Sequence, residues 1–135
     1  MRWIWIDRFI EFDSGRRAKA IKNVSLAEDH LHDHFPGYPV MPGVLIVEAM
    51  AQTGAVLMSK SLDVDVTTKT IMFMSVDDAR FRAPVRPGDV LRLHVEVVRV
   101  RGEVFKFRGK AMVGNKVMAQ CEFAAMALDN SSAST

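Results

Sequence analysis

The chain has 135 residues, of which 49% are hydrophobic and 25% are charged, and its formal net charge at pH 7 is +2. These proportions are typical of a water-soluble globular protein, and the length suffices for one hydrophobic core. So small a net charge argues against nucleic acid as the main partner. A single cysteine excludes an intramolecular disulfide, and charges follow the N-terminus too closely for a secretory signal, so we expect a cytoplasmic protein.

The first part of the chain predicts two strands, a loop and a helix. The strands span 3–12 and 16–24, around the turn Asp13-Ser14-Gly15, and the inner face of the second strand stays open. Residues 32–43 are too rich in proline and glycine for a regular element. The helix predicted over 42–61 is very apolar, but it is too short and too interrupted by polar residues to cross a membrane.

The rest of the chain predicts strands only. Apolar or alternating segments at 70–81, 91–97, 104–113 and 117–128 are separated by turns that contain glycine. Six strands around one apolar helix predict an α+β domain, residues 1–128, whose antiparallel sheet wraps the helix. The Ser-rich tail 129–135 is expected to be disordered.

Glu48 is the first candidate for chemistry. It is the only charged residue between Gly43 and Ser59, and apolar residues surround it on every face of the helix, which predicts burial. A buried carboxyl group must be paired or protonated, and a protonated one can donate a proton. Gln52 lies one turn later and could hydrogen-bond it. The alternative is a carboxylate with a purely structural role.

A second candidate, His34, begins the stiff loop that leads to the helix. Histidine can remove and return a proton near neutral pH, although a lone loop histidine is more often a surface residue. At the helix start, the N–H groups of Gly43, Val44 and Leu45 lack an obvious acceptor and could bind a developing oxyanion, or simply water. Base, acid and donors in one short segment indicate proton abstraction next to a carbonyl group.

The run from His34 to Gln52, HFPGYPVMPGVLIVEAMAQ, resembles the active-site signature of the bacterial β-hydroxyacyl-[acyl carrier protein] dehydratases of type II fatty acid synthesis. Three flanking segments also resemble this family: Ile6-Asp7-Arg8, AIKNV at 20–24 and ARFRAPVRPGD at 79–89. The resemblance extends over nearly the whole chain. It implies the hotdog fold, in which a curved antiparallel sheet wraps a long central helix.

The resemblance also implies roles for particular residues. His34 would remove the C2 proton of a (3R)-hydroxyacyl thioester, and Glu48 of the partner subunit would help the 3-hydroxyl leave as water. The Gly43 N–H would polarise the thioester carbonyl, and the Val40 carbonyl would orient the His34 ring. The product would be a trans-2-enoyl thioester, formed without metal or organic cofactor. The minimum unit would be a homodimer, and members of the family commonly form trimers of dimers.

Further residues are candidates for substrate and partner binding. The acyl tunnel or its support is assigned to Phe35, Gln52, Met72, Phe73 and Met74. The cluster Arg80, Arg82 and Arg86 could recognise the acidic acyl carrier protein or its phosphopantetheine phosphate, or be a solvated strand end.

Other interpretations compete with these assignments. His30, His32 and His34 occupy alternate positions, which on a strand would place them on one face as possible zinc ligands. No further ligand is obvious, so no metal site is predicted. Cys121 is predicted to be a buried strand residue and not a nucleophile.

Two departures from the family pattern keep other functions open. Asp33 stands where the family usually has glycine before the histidine, and its carboxylate would favour the protonated imidazole. His30-Leu31 stands where the family has a pair of aromatic residues. The rival functions are a hotdog thioesterase, an (R)-specific enoyl-CoA hydratase and a non-catalytic subunit that binds acyl chains.

Overall fold

The computed structural model describes residues 4–25, 27–28, 31, 39–61 and 69–129, with Lys69 and Asp129 as backbone only. Six strands and one helix lie in these ranges. Their bounds are β1 (Arg8–Asp13), β2 (Arg17–Asn23), α1 (Gly43–Ser61), β3 (Lys69–Phe81), β4 (Val90–Arg101), β5 (Val104–Val113) and β6 (Lys116–Asp129).

All six strands form one antiparallel sheet in the order β1-β2-β4-β5-β6-β3. The sheet does not close on itself, so β1 and β3 are its edges. The predicted α+β fold, with about six strands around one helix, is confirmed. Between β2 and β4 the chain forms α1 and β3. Strand β3 does not pair with β2 or β4 but lies at the far edge of the sheet, beside β6.

The helix α1 packs against the inner face of the sheet, and glycines permit the close approach. An added Cβ at Gly54 would lie 2.7 Å from the ring of Phe123, and one at Gly109 would lie 2.9 Å from the sulfur of Met50. The rings of Phe107 and Phe123 stack beneath the helix at 4.9 Å between centroids. These contacts form the centre of the hydrophobic core.

The structure decides the inner face of β2, which the sequence left open. Ala18 and Ala20 are fully buried, and Lys22 on the same face is only 6% exposed. A lysine can be buried here because its ammonium group meets the carboxylate of Glu28 at 2.8 Å and lies 5.9 Å from the centre of the Trp5 ring.

Two details differ from the prediction. Strand β1 begins at Arg8 and not near residue 3, because residues 4–6 pass alongside the helix without pairing. The helix is also not buried on every side: Val44 is 74% exposed, and Val47, Glu48 and Gln52 are half-buried. An apolar helix sequence does not show which of its sides the rest of the chain covers, so the exposed side could not be predicted. Within the described ranges, no helix has the length and apolar character needed to span a bilayer.

Candidate active site

Glu48 lies on the exposed side of α1 and is held by a short chain of hydrogen bonds. The side-chain amide of Gln52 donates to the Glu48 carboxylate at 3.2 Å. The carbonyl oxygen of Gln52 accepts the backbone N–H of Trp5 at 2.8 Å. Since its oxygen is engaged by Trp5, Gln52 presents its NH₂ group to Glu48. The predicted contact between Glu48 and Gln52 is confirmed, but Glu48 is half-buried where full burial was expected.

The start of the helix corrects one prediction and supports another. The Leu45 N–H was predicted to lack an acceptor, but it donates to the carbonyl of Pro42 at 3.0 Å. The Pro42 carbonyl accepts from two successive residues, Leu45 and Ile46, and proline fits this first turn because its missing N–H would have no helical partner. Gly43 and Val44 find no acceptor for their N–H groups within the described part of the chain. Two donors therefore remain at the positive end of the helix dipole.

A cavity of about 520 Å³ opens beside these donors. Its walls are the helix start and the chain that leaves β3, and it is lined by Val40, Met41, Gly43, Val44, Ile46, Phe81, Arg82, Ala83, Pro84 and Val85. The wall is fixed by the N–H of Met41, which donates to the Val85 carbonyl at 2.7 Å. The volume and the apolar lining suit an acyl chain or a thioester arm.

Phe81 shows why residue 43 is glycine. A Cβ added at Gly43 would lie 2.7 Å from Cε1 of Phe81, so any side chain there would displace the ring. The ring can therefore pack directly on the backbone of Gly43. The sequence offered Phe81 as a possible tunnel or core residue, but it did not predict the contact of Phe81 with Gly43 or that of the Trp5 backbone with Gln52, because neither contact follows from spacing along the chain.

A second cavity, of about 440 Å³, lies along the other end of the exposed helix side. Ile4, Ile6, Phe9, Ala55 and Val56 supply apolar walls, and Gln52 reaches it from the side that also holds Glu48. Gln52 thus connects the carboxylate to a second apolar space.

Several predicted residues lie outside the described ranges. These are His34, with its neighbours Asp33 and Phe35, and the possible metal ligands His30 and His32. Their roles stay predictions. Across the residues that are described, no three histidine, cysteine or acidic side chains are grouped as metal ligands would be.

The remaining candidates are described but are separate from Glu48 in the fold. Met72, Phe73 and Met74 lie on the edge strand β3 and are 45%, 38% and 55% exposed. Arg80, at the end of the same strand, and Arg82 just beyond it are also exposed.

Two further predictions concern Arg86 and Cys121. Arg86 is exposed in the turn before β4, where its backbone N–H donates to Asp89. Cys121 is a buried strand residue, as predicted. Burial, with a smaller effect of Glu122, raises the pKa of the Cys121 thiol to about 11, so the thiol is unsuited to act as a nucleophile.

One long helix against a curved antiparallel sheet, with a polar pair on the exposed helix side, places the chain among hotdog proteins. Solved structures share this fold. A dehydratase heterocomplex, ApeI:P from Xenorhabdus doucetiae, matches with a TM-score of 0.79 at 16% identity, covering 96% of this chain and 86% of that one. A hot-dog-like protein from Thermanaerovibrio acidaminovorans matches with a TM-score of 0.73 at 18% identity, covering 91% and 88%.

The chain belongs to the FabA-like family, whose domain model matches residues 3–122. Two relatives are named 3-hydroxyacyl-[acyl-carrier-protein] dehydratase FabZ. The one from Caulobacter vibrioides is 58% identical over 94% of this chain and 80% of its own length. The one from Rhodospirillum rubrum is 53% identical over 94% and 79%. The family resemblance seen in the sequence is confirmed.

Proposed function

We propose that this protein dehydrates (3R)-hydroxyacyl-[acyl carrier protein] to trans-2-enoyl-[acyl carrier protein] in fatty acid biosynthesis, in the cytoplasm. Family membership and the names of relatives at up to 58% identity support the reaction. The observation that carries the chemistry is the Glu48 carboxyl group, which Gln52 holds on the same helix whose first N–H groups, at Gly43 and Val44, border an apolar cavity.

In the proposed mechanism, His34 removes the proton from C2 of the substrate. The electrons of the C2–H bond form the C2=C3 double bond, and the C3–O bond breaks. Glu48 gives its proton to the departing hydroxyl, which leaves as water. The Gly43 N–H binds the thioester oxygen while it carries negative charge, and the Val40 carbonyl orients the His34 ring. No step requires a metal or an organic cofactor.

The proposed site takes Glu48 from the partner subunit of a homodimer. Glu48 is not among the side chains that line the cavity beside Gly43 of its own subunit. The edge strand β3 supports a dimer through continued sheet pairing, because no strand of the described chain lies beyond it in the sheet and its apolar side chains are exposed. Dimers could associate further into a trimer of dimers.

Substrate and carrier contacts complete the proposal. Phe35 and the methionine-rich segment of β3, Met72 to Met74, would line the acyl tunnel at the dimer interface. Exposed arginines at the end of β3 and in the following turn, Arg80, Arg82 and Arg86, would face the acidic carrier protein.

The test is an assay with a 3-hydroxyacyl carrier protein that follows enoyl formation and thiol release separately. We expect enoyl product, and its loss in both His34→Ala and Glu48→Gln. Free thiol without enoyl product would identify a thioesterase instead. Equal or faster turnover of the coenzyme A thioester would identify an enoyl-CoA hydratase. Lack of activity on every thioester would indicate a non-catalytic subunit that binds acyl chains.

A mixing experiment tests the sharing of the site between subunits. Each of the two inactive variants keeps one catalytic residue, so a mixed dimer of His34→Ala and Glu48→Gln contains one intact site only if the residues come from different subunits. Random reassembly of an equal mixture should restore about a quarter of the parent activity, because half the dimers are mixed and each has one of two sites. No recovery in dimers shown to have exchanged subunits would contradict the shared site.

A further inference from the structure

The edge strand β3 pairs irregularly with β6 shortly before it ends. Asp77 pairs with Glu122, and the next pair is Arg80 with Gln120, so two residues of β3 lie opposite one residue of β6. This arrangement is a β-bulge. Asp78, one of the two extra residues, has a φ of 51°, and no other non-glycine residue of the described chain has a positive φ.

The left-handed backbone of Asp78 restricts which residues suit this position. Glycine adopts this region freely, and aspartate and asparagine adopt it more readily than other residues. A β-branched residue such as valine would oppose it. The identity of residue 78 therefore decides how easily the bulge forms.

The bulge also decides which face of the sheet the following residues occupy. Side chains alternate between the two faces of a strand, so one extra residue exchanges inside and outside. With the bulge, Phe81 pairs with Ala119, which is fully buried in the core, and Arg80 pairs with Gln120 on the outer face, away from the helix. Without the bulge, Arg80 would point towards the helix and Phe81 away from it.

In its inward position, Phe81 meets the start of the helix. A Cβ added at Gly43 would lie 2.7, 3.0 and 3.1 Å from three neighbouring atoms of the ring, so the ring lies against the Gly43 backbone. Beyond the bulge, the N–H of Arg82 donates to the Met118 carbonyl at 2.8 Å, which holds this end of the chain on β6. The Phe81 side chain remains 54% exposed and lines the cavity of about 520 Å³.

We propose that Asp78 is a positioning residue for the dehydration. Its left-handed backbone maintains the bulge, the bulge turns Phe81 inward, and the Phe81 ring fixes the Gly43 backbone at the border of the cavity. This inference rests on the proposed function, because the Gly43 N–H is the donor that binds the thioester oxygen there. Such a donor is effective only when it is already in place as the negative charge develops.

The test replaces Asp78 with residues that differ in their tolerance of the left-handed region. On a 3-hydroxyacyl carrier protein, Asp78→Gly should keep the kcat of the parent. Asp78→Val should lower kcat about tenfold with little change in KM, because oxyanion binding strengthens in the transition state. The matched control is Asp77→Val, which removes the same charge at a regularly paired strand position and should leave kcat unchanged.

Two kinetic results would overturn the proposal. One is an equal loss of kcat in the two valine variants, and the other is a change in KM alone. Light scattering first establishes that the variants are folded and have the mass of the parent. If Asp78→Val does not fold, the comparison uses Asp78→Ala and Asp77→Ala, because alanine also disfavours the left-handed region.

A double-mutant cycle tests whether Asp78 acts through Phe81. Phe81→Leu alone should lower kcat to a similar extent as Asp78→Val. The double variant should lose little more, because the ring that the bulge positions is already absent. Losses that multiply in the double variant would show that the two residues act separately and would contradict the proposal.

An NMR measurement makes the outcome independent of turnover. In protein labelled with ¹³C-glycine, the ring current of Phe81 should displace the Hα resonances of Gly43, which are assigned by their loss in Gly43→Ala. We expect this displacement to persist in Asp78→Gly and Asp77→Val and to vanish in Asp78→Val and Phe81→Leu. A displacement that survives in Asp78→Val would overturn the inference. If the displacement depends on residue 78 as expected but the parent dehydrates no thioester, the proposed reaction is refuted, while the control of Phe81 by Asp78 is supported.

Discussion

At the residue scale, the orientation of one amide determines how Glu48 is held. Trp5 engages the oxygen of Gln52, so its NH₂ group faces the Glu48 carboxylate. Gln52→Glu keeps an oxygen for Trp5 but replaces the donor with a second carboxylate. We expect kcat to fall at least about tenfold, because two carboxylates in contact repel each other and Glu48 loses the donor that holds it in place.

This repulsion is relieved by a proton shared between the two groups, so the activity of Gln52→Glu relative to the parent should rise as the pH is lowered. Steady-state rates on the 3-hydroxyacyl thioester of N-acetylcysteamine, measured over a pH series, give this activity ratio. The same change on the outer sheet face, Gln120→Glu, is the control and should leave this ratio flat. A ratio for Gln52→Glu that does not depend on pH would count against the proposed contact in catalysis.

Sequence reasoning found Glu48 and Gln52 because four-residue spacing on a helix is local. It did not find Trp5, since the contact between Trp5 and Gln52 depends on how residues 4–6 pass the finished helix. Full burial of Glu48 was also expected, and the error has a physical cause. Apolar neighbours on a helix do not reveal whether the chain itself or a second molecule covers them.

At the element scale, the segment after β2 is attached through a buried ion pair. The carboxylate of Glu28 accepts from Lys22 at 2.8 Å and from the backbone N–H of Ser25 at 3.0 Å. Glu28→Gln would leave the buried ammonium group uncompensated. We expect the free energy of unfolding to drop by about 3 kcal/mol, because a buried charge without its partner is costly.

Chemical denaturation monitored by circular dichroism measures this loss. The control is Glu11→Gln, which removes the partner of two less buried side chains, Lys19 and Arg17, and should cost less than about 1 kcal/mol. Equal losses of unfolding free energy in the two variants would show that a buried lysine without its partner costs no more than a less buried one.

The strands were predictable one by one, but their order in the sheet was not. Alternating apolar residues locate β4, β5 and β6 along the chain, and glycine turns join them as neighbours. Strand β3 pairs with β6 across a long stretch of chain, and this pairing follows from the whole sheet. Nothing in the local sequence of β3 indicates that it lies at an edge.

At the scale of the whole molecule, the exposed edge of β3 predicts the oligomeric state. Val76 is 49% exposed in the middle of this strand. Val76→Glu should produce monomers and abolish dehydration, because an inward-facing charge blocks pairing of one edge with another. Light scattering after size exclusion measures the mass, and the enoyl assay measures the activity.

Val98→Glu is the matched control, since Val98 is 43% exposed on β4, an interior strand. It should keep both the dimer and the activity. A folded, fully active Val76→Glu dimer would exclude this edge as the interface, while an active monomer would refute the shared site.

The position of β3 also matters before the chain is complete. Within the described chain β3 pairs only with β6, which is the last of the six strands to be synthesised and ends 48 residues after β3 ends at Phe81. At translation speeds of about 5–20 residues per second, roughly 2–10 seconds pass between completion of β3 and completion of β6, and β3 has no paired strand during this time. The yield of active protein should therefore respond to growth temperature and chaperone supply during synthesis, even where the finished fold is stable.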